Sequence, residues 1–440
     1  MASSSSSTSQ WSSGELILAV SRGQAIAAYD ALTGHVVAEL PAANTPRHGL
    51  AVVAAGPGST AAFVAASHVC PATGACSIRL LQWRSASATA APAHELPVPE
   101  PVAPLVAAPH GSHLLAGGTS GRVYALALPS GDVARAFRAH RIGAVSCLAL
   151  SDDGSLLLSG GEDGAVAAFL LVDVLDAEAP RGSCYADLAV YRVAAAHTAA
   201  VTCVACGRGG CHAVVATASA DGTCKVWRLA DGGHLRTLAL PCTALSLALD
   251  PTSSALYAGG SDGRVHVASL DSPATTAVTS STSHHANDSD NNTNNAAVVA
   301  VAMANGCRNL VSCAEDGEVR VWDLTHGSLL LLAHTFWLGG VVSGALVVKR
   351  PVSAGEVARA GGGGEGFRVR DDDVAWTRAC EVAKMEDMLR SSEEDRASSV
   401  ALLEKNLDIH KRCLRLMLRE ATALANGDSH DGVHGGNVTD

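Results

Sequence analysis

A glycine-bearing turn followed at once by a short apolar run recurs along this chain at nearly constant spacing. It stands at Thr119-Ser120-Gly121-Arg122-Val123, Glu162-Asp163-Gly164-Ala165-Val166, Ala220-Asp221-Gly222, Ser261-Asp262-Gly263-Arg264-Val265 and Glu315-Asp316-Gly317-Glu318-Val319. The intervals between these glycines are 43, 58, 41 and 54 residues. Two are a plain period, and two are that period with an insertion, one including Asp176 to Ala186 and the other Ser272 to Ala296. Tight hairpin turns need a residue at positive φ, which is why Asp-Gly suits them. A unit of this length is a small sheet that cannot bury its own faces, so its copies must stack on one another.

The clearest unit is Ala194 to Leu229, AAAHTAAVTCVACGRGGCHAVVATASADGTCKVWRL. His197 precedes an alternating apolar run (Val201, Cys203, Ala205), a Gly-rich turn leads to Val214–Ala218, and a third run closes on Val226-Trp227. The pattern places His197, Thr217, Asp221 and Trp227 where a hydrogen-bonded chain runs from a turn across two strands to an indole N–H. Such a chain satisfies four polar groups that would be costly to bury alone. His140, Ser159 and Asp163 repeat the arrangement one unit earlier, and Asp316 and Trp322 repeat part of it in the last unit. The unit resembles a WD repeat, the four-stranded blade of a β-propeller, whose period is about 40–45 residues.

Two weaker copies lie upstream. One runs from His48 to about Leu96, with Trp83 closing its third strand, and merges into the Ala/Pro/Ser-rich stretch 85–101. The other is incomplete: Glu15–Ser21, Gln24–Tyr29 and His35–Leu40 read as second, third and fourth strands with no first. After the last repeat, Arg320-Val321-Trp322-Asp323-Leu324, an outer strand is expected at Ser328–Leu332. Then come His334 and an orphan run, Val341 to Val348. That run is expected to supply the missing first strand and lock the ring, which removes exposed sheet edges. The count is then seven blades.

Composition sets the outer limits. A hydrophobic content of 48% with 17% charged residues describes a well-buried globular chain of 440 residues. A net charge of −11 argues against a surface that grips nucleic-acid phosphates throughout. The opening MASSSSSTSQWSSG has no cationic region ahead of an apolar stretch, so no secretory leader is expected. No uninterrupted apolar run reaches the length of a membrane span. The 13 cysteines are scattered and odd in number, which fits reduced thiols of cytosol or nucleus.

The domain plan is therefore a tail (1–13), an all-β seven-bladed propeller (14–350) with a disordered polar insertion at 272–296, and a flexible linker (351–370) with a Gly-rich hinge at 361–366. A helical segment (371–426) and a second tail (427–440) follow. Asp371-Asp372-Asp373 offers a helix start, and Val400, Leu403, Leu407, His410, Leu414, Met417 and Ala421 fall at steps of three and four. Residues 371–395 carry nine acids and three bases, whereas 396–425 carry three acids and six bases. That asymmetry favours pairing of helices, and Val400, Leu403, Leu407, Leu414 and Met417 are the expected dimer seam.

Each candidate for chemistry has a plainer reading. Cys203-x2-Cys206-x4-Cys211-His212 has spacings a zinc site can use, yet Cys203 falls on a strand the repeat already explains. Cys70 and Cys76 flank a turn and read as a loop with two thiols. His284-His285 with Asp288 and Asp290 lacks the glycine and closing glutamate of a calcium loop. His140 and His197, with Asp163 and Asp221, sit too regularly to read as acid–base pairs. No phosphate-binding loop or nucleophile elbow is present. No catalytic residue, cofactor or metal is expected.

Four features together resemble one family. They are the opening strand Glu15-Leu16-Ile17-Leu18-Ala19, the turn Ala31-Leu32-Thr33-Gly34, the repeat end Val321-Trp322-Asp323-Leu324, and a helical tail after a short linker. The chain resembles, from about Gly14 to Asn426, the WD-repeat subunits of the complex that matures large ribosomal subunit precursors, whose plant members are called ROOT INITIATION DEFECTIVE proteins. It departs in its Asn/Ser insertion and its Trp-poor blades, with Leu126 and Ala268 where Trp322 and Trp227 stand in theirs. The resemblance implies a non-enzymatic scaffold of the nucleus, nucleolus and nucleoplasm, dimeric through its C-terminal helix. It implies an armadillo-like partner, a helical-repeat partner, a giant AAA ATPase, indirect association with pre-rRNA, and a part in internal transcribed spacer processing, proliferation and meristem development. The alternative is a substrate receptor of a cullin-type ubiquitin ligase. A docking Trp-Asp-x-Arg would support it, but Trp322-Asp323 continues as Leu324-Thr325.

Overall fold

The computed structural model describes residues 15–349 except 22–24, 32, 41–44, 55–61, 71, 83–93, 129, 177–187, 210–212, 271–279, 284–295, 305–306 and 325–329. In chain order the strands begin with β1 (Glu15–Ser21), β2 (Ile26–Asp30) and β3 (Val36–Leu40). Then follow β4 (Leu50–Ala54), β5 (Ala62–Val69), β6 (Cys76–Gln82), β7 (His94–Pro97), β8 (Val102–Ala107), β9 (His113–Gly118), β10 (Arg122–Ala127) and β11 (Val133–Arg138). Next are β12 (Val145–Leu150), β13 (Leu156–Gly161), β14 (Val166–Leu170), the short helix α1 (Leu171–Leu175) and β15 (Ala189–Val193). The chain continues with β16 (Val201–Cys206), β17 (Val214–Ser219), β18 (Thr223–Arg228), β19 (His234–Ala239), β20 (Ala244–Leu249), β21 (Ala255–Gly260), β22 (Arg264–Ser269) and β23 (Ser280–Ser283). It ends with β24 (Val298–Ala304), β25 (Asn309–Ala314), β26 (Glu318–Asp323), β27 (Leu331–Trp337) and β28 (Val342–Lys349).

These strands form seven four-stranded antiparallel sheets, a seven-bladed propeller. Six blades are consecutive; blade 1 has the order β28-β1-β2-β3. Its register runs from Glu15↔Lys349 to Val20↔Gly344, so the last described strand completes the first blade. Ser343 donates its hydroxyl to the Val20 carbonyl (3.2 Å), and Ser21 donates to the Gly339 carbonyl (3.0 Å).

The core lies between blades rather than within them. Leu16, Leu18, Ile26 and Ala28 pack with Leu50, Val64 and Leu81 of blade 2, while Ile17, Ala19 and Tyr29 pack with Val311, Val319 and Val321 of blade 7. Successive residues of β1 thus face opposite neighbours, as the two-residue period of a strand requires. Leu16, Ile17 and Leu18 are all fully buried, each contributing about 1.5–3 kcal/mol. The recurrent turn glycines sit at positive φ, Gly121 at 79° and Gly164 at 71°. A Cβ on Gly164 would stand 2.5 Å from the His197 carbonyl, and one on Gly121 2.6 Å from that of His140. These two glycines therefore serve both the hairpin and the seam with the next blade.

Two expectations need correction. The outer strand of blade 7 is β27, Leu331–Trp337, not Ser328–Leu332, and His334 lies on it opposite Val321. This strand is largely exposed, Trp337 at 61%, so no alternating apolar pattern marks its register. The span 272–296 contains β23, whose backbone pairs with β22 through Arg264↔Ser283 to Val267↔Ser280. Ladder bonds suffice there, and a polar sequence does not forbid them. The short helix α1 follows β14 directly, before the insertion of blade 4. Trp83 and the seam residues Val400, Leu403, Leu407, Leu414 and Met417, with the whole 371–426 segment, lie outside the described residues.

Candidate functional site

Blade 5 carries the fullest polar relay. His197 approaches from the loop before β16, its Nδ1 3.1 Å from Asp221 Oδ2 and its Nε2 2.8 Å from Thr217 Oγ1. Trp227 donates its indole N–H to the same hydroxyl at 2.9 Å. These partners assign one proton order: indole to Thr217, Thr217 to Nε2, and Nδ1–H to the carboxylate. Asp221 also accepts from Thr198 N (3.0 Å), Thr223 N (2.9 Å) and Thr223 Oγ1 (2.6 Å). Burial alone would raise its pKa, but bonds from Thr223 and Thr198 and the His197 charge bring it down to about 2. Burial lowers the pKa of His197, against the pull of Asp221.

The other blades vary the theme. In blade 4, His140 Nδ1 is 2.9 Å from Asp163 Oδ1 and Nε2 is 3.0 Å from Ser159 Oγ. Phe169 stands opposite Leu157 where Trp227 stands opposite Val215, so no indole feeds that serine. In blade 7, Trp322 donates to Ser312 at 2.8 Å and Asp316 accepts from Glu318 N at 3.0 Å. A buried ion pair, Arg320 to Glu318 at 2.8 Å, lies beside the Trp322 ring. Blade 3 uses Glu100, which the repeat pattern did not single out. It accepts from Ser120 Oγ (2.6 Å), Tyr124 OH (2.7 Å), Ser120 N (2.8 Å) and Thr119 Oγ1 (3.0 Å). Burial and this carboxylate push the Tyr124 phenol up to about 12.

The axis of the ring is crossed by a segment that carries no sequence signature. Arg47 and His48 lie in the connection from blade 1 to blade 2. The Arg47 guanidinium donates to the carbonyls of Leu245, on β20, and of Val299 (3.2 Å), on β24. Its stem lies against Gly344 of β28, and the His48 carbonyl accepts from Leu105 N (3.0 Å) of β8. Reaching the inner strands of blades 6, 7, 1 and 3 places this pair across the channel. His48 holds a positive φ of 61°. Burial, then the Arg47 charge, lowers its pKa to about 4, so it is neutral at pH 7. The Arg47 guanidinium, which feels the charge of Glu315, and a neutral imidazole thus meet where the inner strands of several blades come together.

The zinc spacing noted at Cys203 and Cys206 does not assemble. Both lie on β16, but Cys203 packs into the seam between blades 5 and 6 and Cys206 into that between blades 4 and 5. Residues three apart on a strand face opposite ways, so one ion cannot take both. Cys211, His212, His284, His285, Asp288 and Asp290 are outside the described residues. Cys70 and Cys76 are free thiols across a turn closed by Cys70 N to Ala75 O (2.8 Å). No helix among the described residues is long and apolar enough to cross a membrane.

Comparison with known proteins follows the same lines. The family model "WD domain, G-beta repeat" matches residues 131–167, 189–228 and 289–323. Protein ROOT INITIATION DEFECTIVE 3 of Arabidopsis thaliana is 30% identical over 309 residues, 70% of this chain and 66% of that protein. WD repeat-containing protein 18 of Bos taurus is 30% identical over 255 residues, 58% of this chain and 57% of that protein. Pre-rRNA-processing protein crb3/ipi3 of Schizosaccharomyces pombe is 29% identical over 171 residues, 39% and 38% of the two chains. The chain therefore covers less than two thirds of each relative's length. Among solved structures, that of U3-55K aligns with a TM-score of 0.53 at 18% identity, over 69% of this chain and 86% of that one. That likeness concerns the fold alone. The chain is a WD-repeat propeller protein homologous to ROOT INITIATION DEFECTIVE 3, WD repeat-containing protein 18 and the Ipi3/Crb3 pre-rRNA-processing proteins.

Proposed function

We propose that this chain is a non-catalytic scaffold in large ribosomal subunit biogenesis, acting in internal transcribed spacer processing and pre-ribosome remodelling. The observation that carries the proposal is the homology to two proteins named for pre-rRNA processing, over 39% and 40% of this chain. The polar residues of the blades support it. His197, Thr217, Asp221 and Trp227, like His140, Ser159 and Asp163, are committed to one another, as are Trp322 and Ser312. Their part, and that of Asp316, is to hold blades in register.

The rest of the reading follows from the resemblance. The protein works in the nucleus, in nucleolus and nucleoplasm, and touches pre-rRNA indirectly. Its partners are an armadillo-like scaffold, a helical-repeat subunit and a giant AAA ATPase. Through ribosome supply it affects proliferation and meristem development. Residues 371–426 pair two copies through Val400, Leu403, Leu407, Leu414 and Met417.

Affinity purification of the tagged chain from nuclear extract, with mass spectrometry of its partners, tests the scaffold role. Recovery of ribosome-maturation factors with the ATPase is expected; recovery of cullin-ligase subunits in their place would move the protein to the receptor class. Dimerisation has its own test. Replacing Leu403, Leu407 and Leu414 with Asp should halve the mass seen by light scattering and leave the β circular dichroism intact. An unchanged mass removes the helical seam from the proposal.

A further inference from the structure

Blade 6 keeps the Asp-Gly turn of its neighbours but not their relay. Ala258 on β21 occupies the place of Thr217 on β17 and Ser159 on β13, the residue opposite the third position after the turn glycine. The imidazole arrives from the other side of the hairpin: His266 on β22, directly opposite Ala258 and 2% exposed. Its Nε2 lies 3.1 Å from each carboxylate oxygen of Asp262 and 3.4 Å from Cys242 Sγ. Its Nδ1 is buried with no hydrogen-bond partner among the described residues, so the ring's polar reach is all turned toward Asp262 and Cys242. In blades 4 and 5, by contrast, a carboxylate and a hydroxyl take both ring nitrogens.

The three donors converge over the bare Cα of Gly260. A Cβ there would stand 2.3 Å from Asp262 Oδ1, 2.6 Å from Cys242 Sγ and 2.9 Å from His266 Nε2. Zinc binds thiolate at about 2.3 Å, imidazole at about 2.0–2.1 Å and carboxylate at about 2.0–2.2 Å, which puts tetrahedral donors roughly 3.3–3.6 Å apart. The separations of Nε2 from the carboxylate and from Sγ, 3.1 and 3.4 Å, fall within a few tenths of an ångström of that, and all three donors lie within 4.8 Å of one another. One soft, one borderline and one hard donor form a set suited to zinc rather than to calcium or magnesium, which want oxygen alone. Arg264 N holds Asp262 Oδ1 at 3.1 Å and fixes the carboxylate. The Asp262 side chain is 30% exposed and Cys242 is half-buried, so an ion can enter from the rim.

We propose that Cys242, Asp262 and His266 form a zinc-binding site on the rim of blade 6, with water in the fourth position. Zinc takes the place of the Cys242 thiol proton, which leaves to solvent, and of the Nε2 proton, which moves to Nδ1 as the neutral ring changes tautomer; the ion is then held by Sγ, Nε2 and one carboxylate oxygen. The hydrogen bonds of the metal-free site already hold these donors together, so binding requires a small separation of the three and the tautomer change of His266.

The test uses the full chain, purified without metal and titrated with zinc alone, then with cobalt(II) as a spectroscopic substitute. One saturable equivalent is expected, with a thiolate-to-cobalt charge-transfer band. Cys242→Ser should abolish the band and weaken zinc at least about a hundredfold, beyond the loss typical of an outer-shell change. Cys206→Ser should change neither. Zinc should also slow alkylation of Cys242 in the unmutated chain, followed by peptide mass spectrometry; this readout stands even if a variant folds poorly. No saturable equivalent, a band that survives Cys242→Ser, or unprotected Cys242 overturns the proposal.

Discussion

Blade 5 and blade 1 reach the same four-stranded form by opposite routes. Blade 5 is made of contiguous chain, Val201 to Ala239, and ties its strands together with the His197–Thr217–Trp227–Asp221 relay. Blade 1 joins residues about 330 apart in sequence and depends on β1, whose Leu16, Ile17 and Leu18 are fully buried between two neighbours. One blade is specified by local polar geometry, the other by apolar pairing that only the whole ring can deliver. The difference predicts where damage spreads. A lesion in blade 5 loosens one blade, whereas a lesion in blade 1 opens the circle.

The strongest way to break that contrast is to delete Val342–Lys349. This leaves one side of β1 unpaired and removes Val342, Leu346 and Val348 from the packing of its seams. We expect loss of the cooperative thermal transition by circular dichroism; an unshifted transition would falsify ring closure by β28. Next in size is Thr217→Val, which keeps the shape but orphans two buried nitrogens, His197 Nε2 and Trp227 Nε1. At about 1–3 kcal/mol for each unmade bond, the loss should be about 3 kcal/mol in urea denaturation.

His48 probes the channel between these extremes. Its folded pKa of about 4 lies below the ordinary histidine value of 6.5, so between those pH values the unfolded chain binds the extra proton. Stability is therefore complete above pH 6.5 and falls as pH drops toward 4, by about 1.4 kcal/mol per unit. His48→Asn, which tolerates the left-handed backbone, should remove about 2 kcal/mol of the acid loss between pH 6.5 and 5. Identical pH profiles for the two proteins would show that His48 is not the titrating group. The smallest effect is expected for Ser159→Ala, about 1.5 kcal/mol, because Phe169 leaves only His140 to be orphaned. A cost equal to that of Thr217→Val would mean that the indole adds nothing to the relay.

Much of this architecture was legible in the residues, for a physical reason. The two middle strands of these blades are largely buried and joined by a turn that needs glycine, so Gly121, Gly164, Gly222, Gly263 and Gly317 mark them plainly. The orphan run near Val341 announced the closure because nothing local could pair with it. Outer strands leave a fainter trace. β27 is mostly exposed, and β23 lies in a stretch of Ser and Thr, where backbone bonds alone define a strand. Polar groups that depart from the repeat were also out of reach. Glu100 precedes its blade, His266 replaces a relay from the wrong strand, and Arg47 acts across the whole ring, so no spacing in the sequence connects them with their partners.

The placement of β28 also has a consequence in time. A ribosome adds roughly 5–20 residues per second, so Ser21 emerges about 15–60 s before Val342, its partner across the seam. Throughout that interval a strand with three fully buried residues in a row, Leu16 to Leu18, has one unsatisfied edge, while six later blades are made and stacked beside it. The nascent chain must be kept from pairing that edge with a stranger. Its yield in a cell is therefore governed by the speed of elongation and the supply of holding chaperones, as well as by the stability of the finished ring.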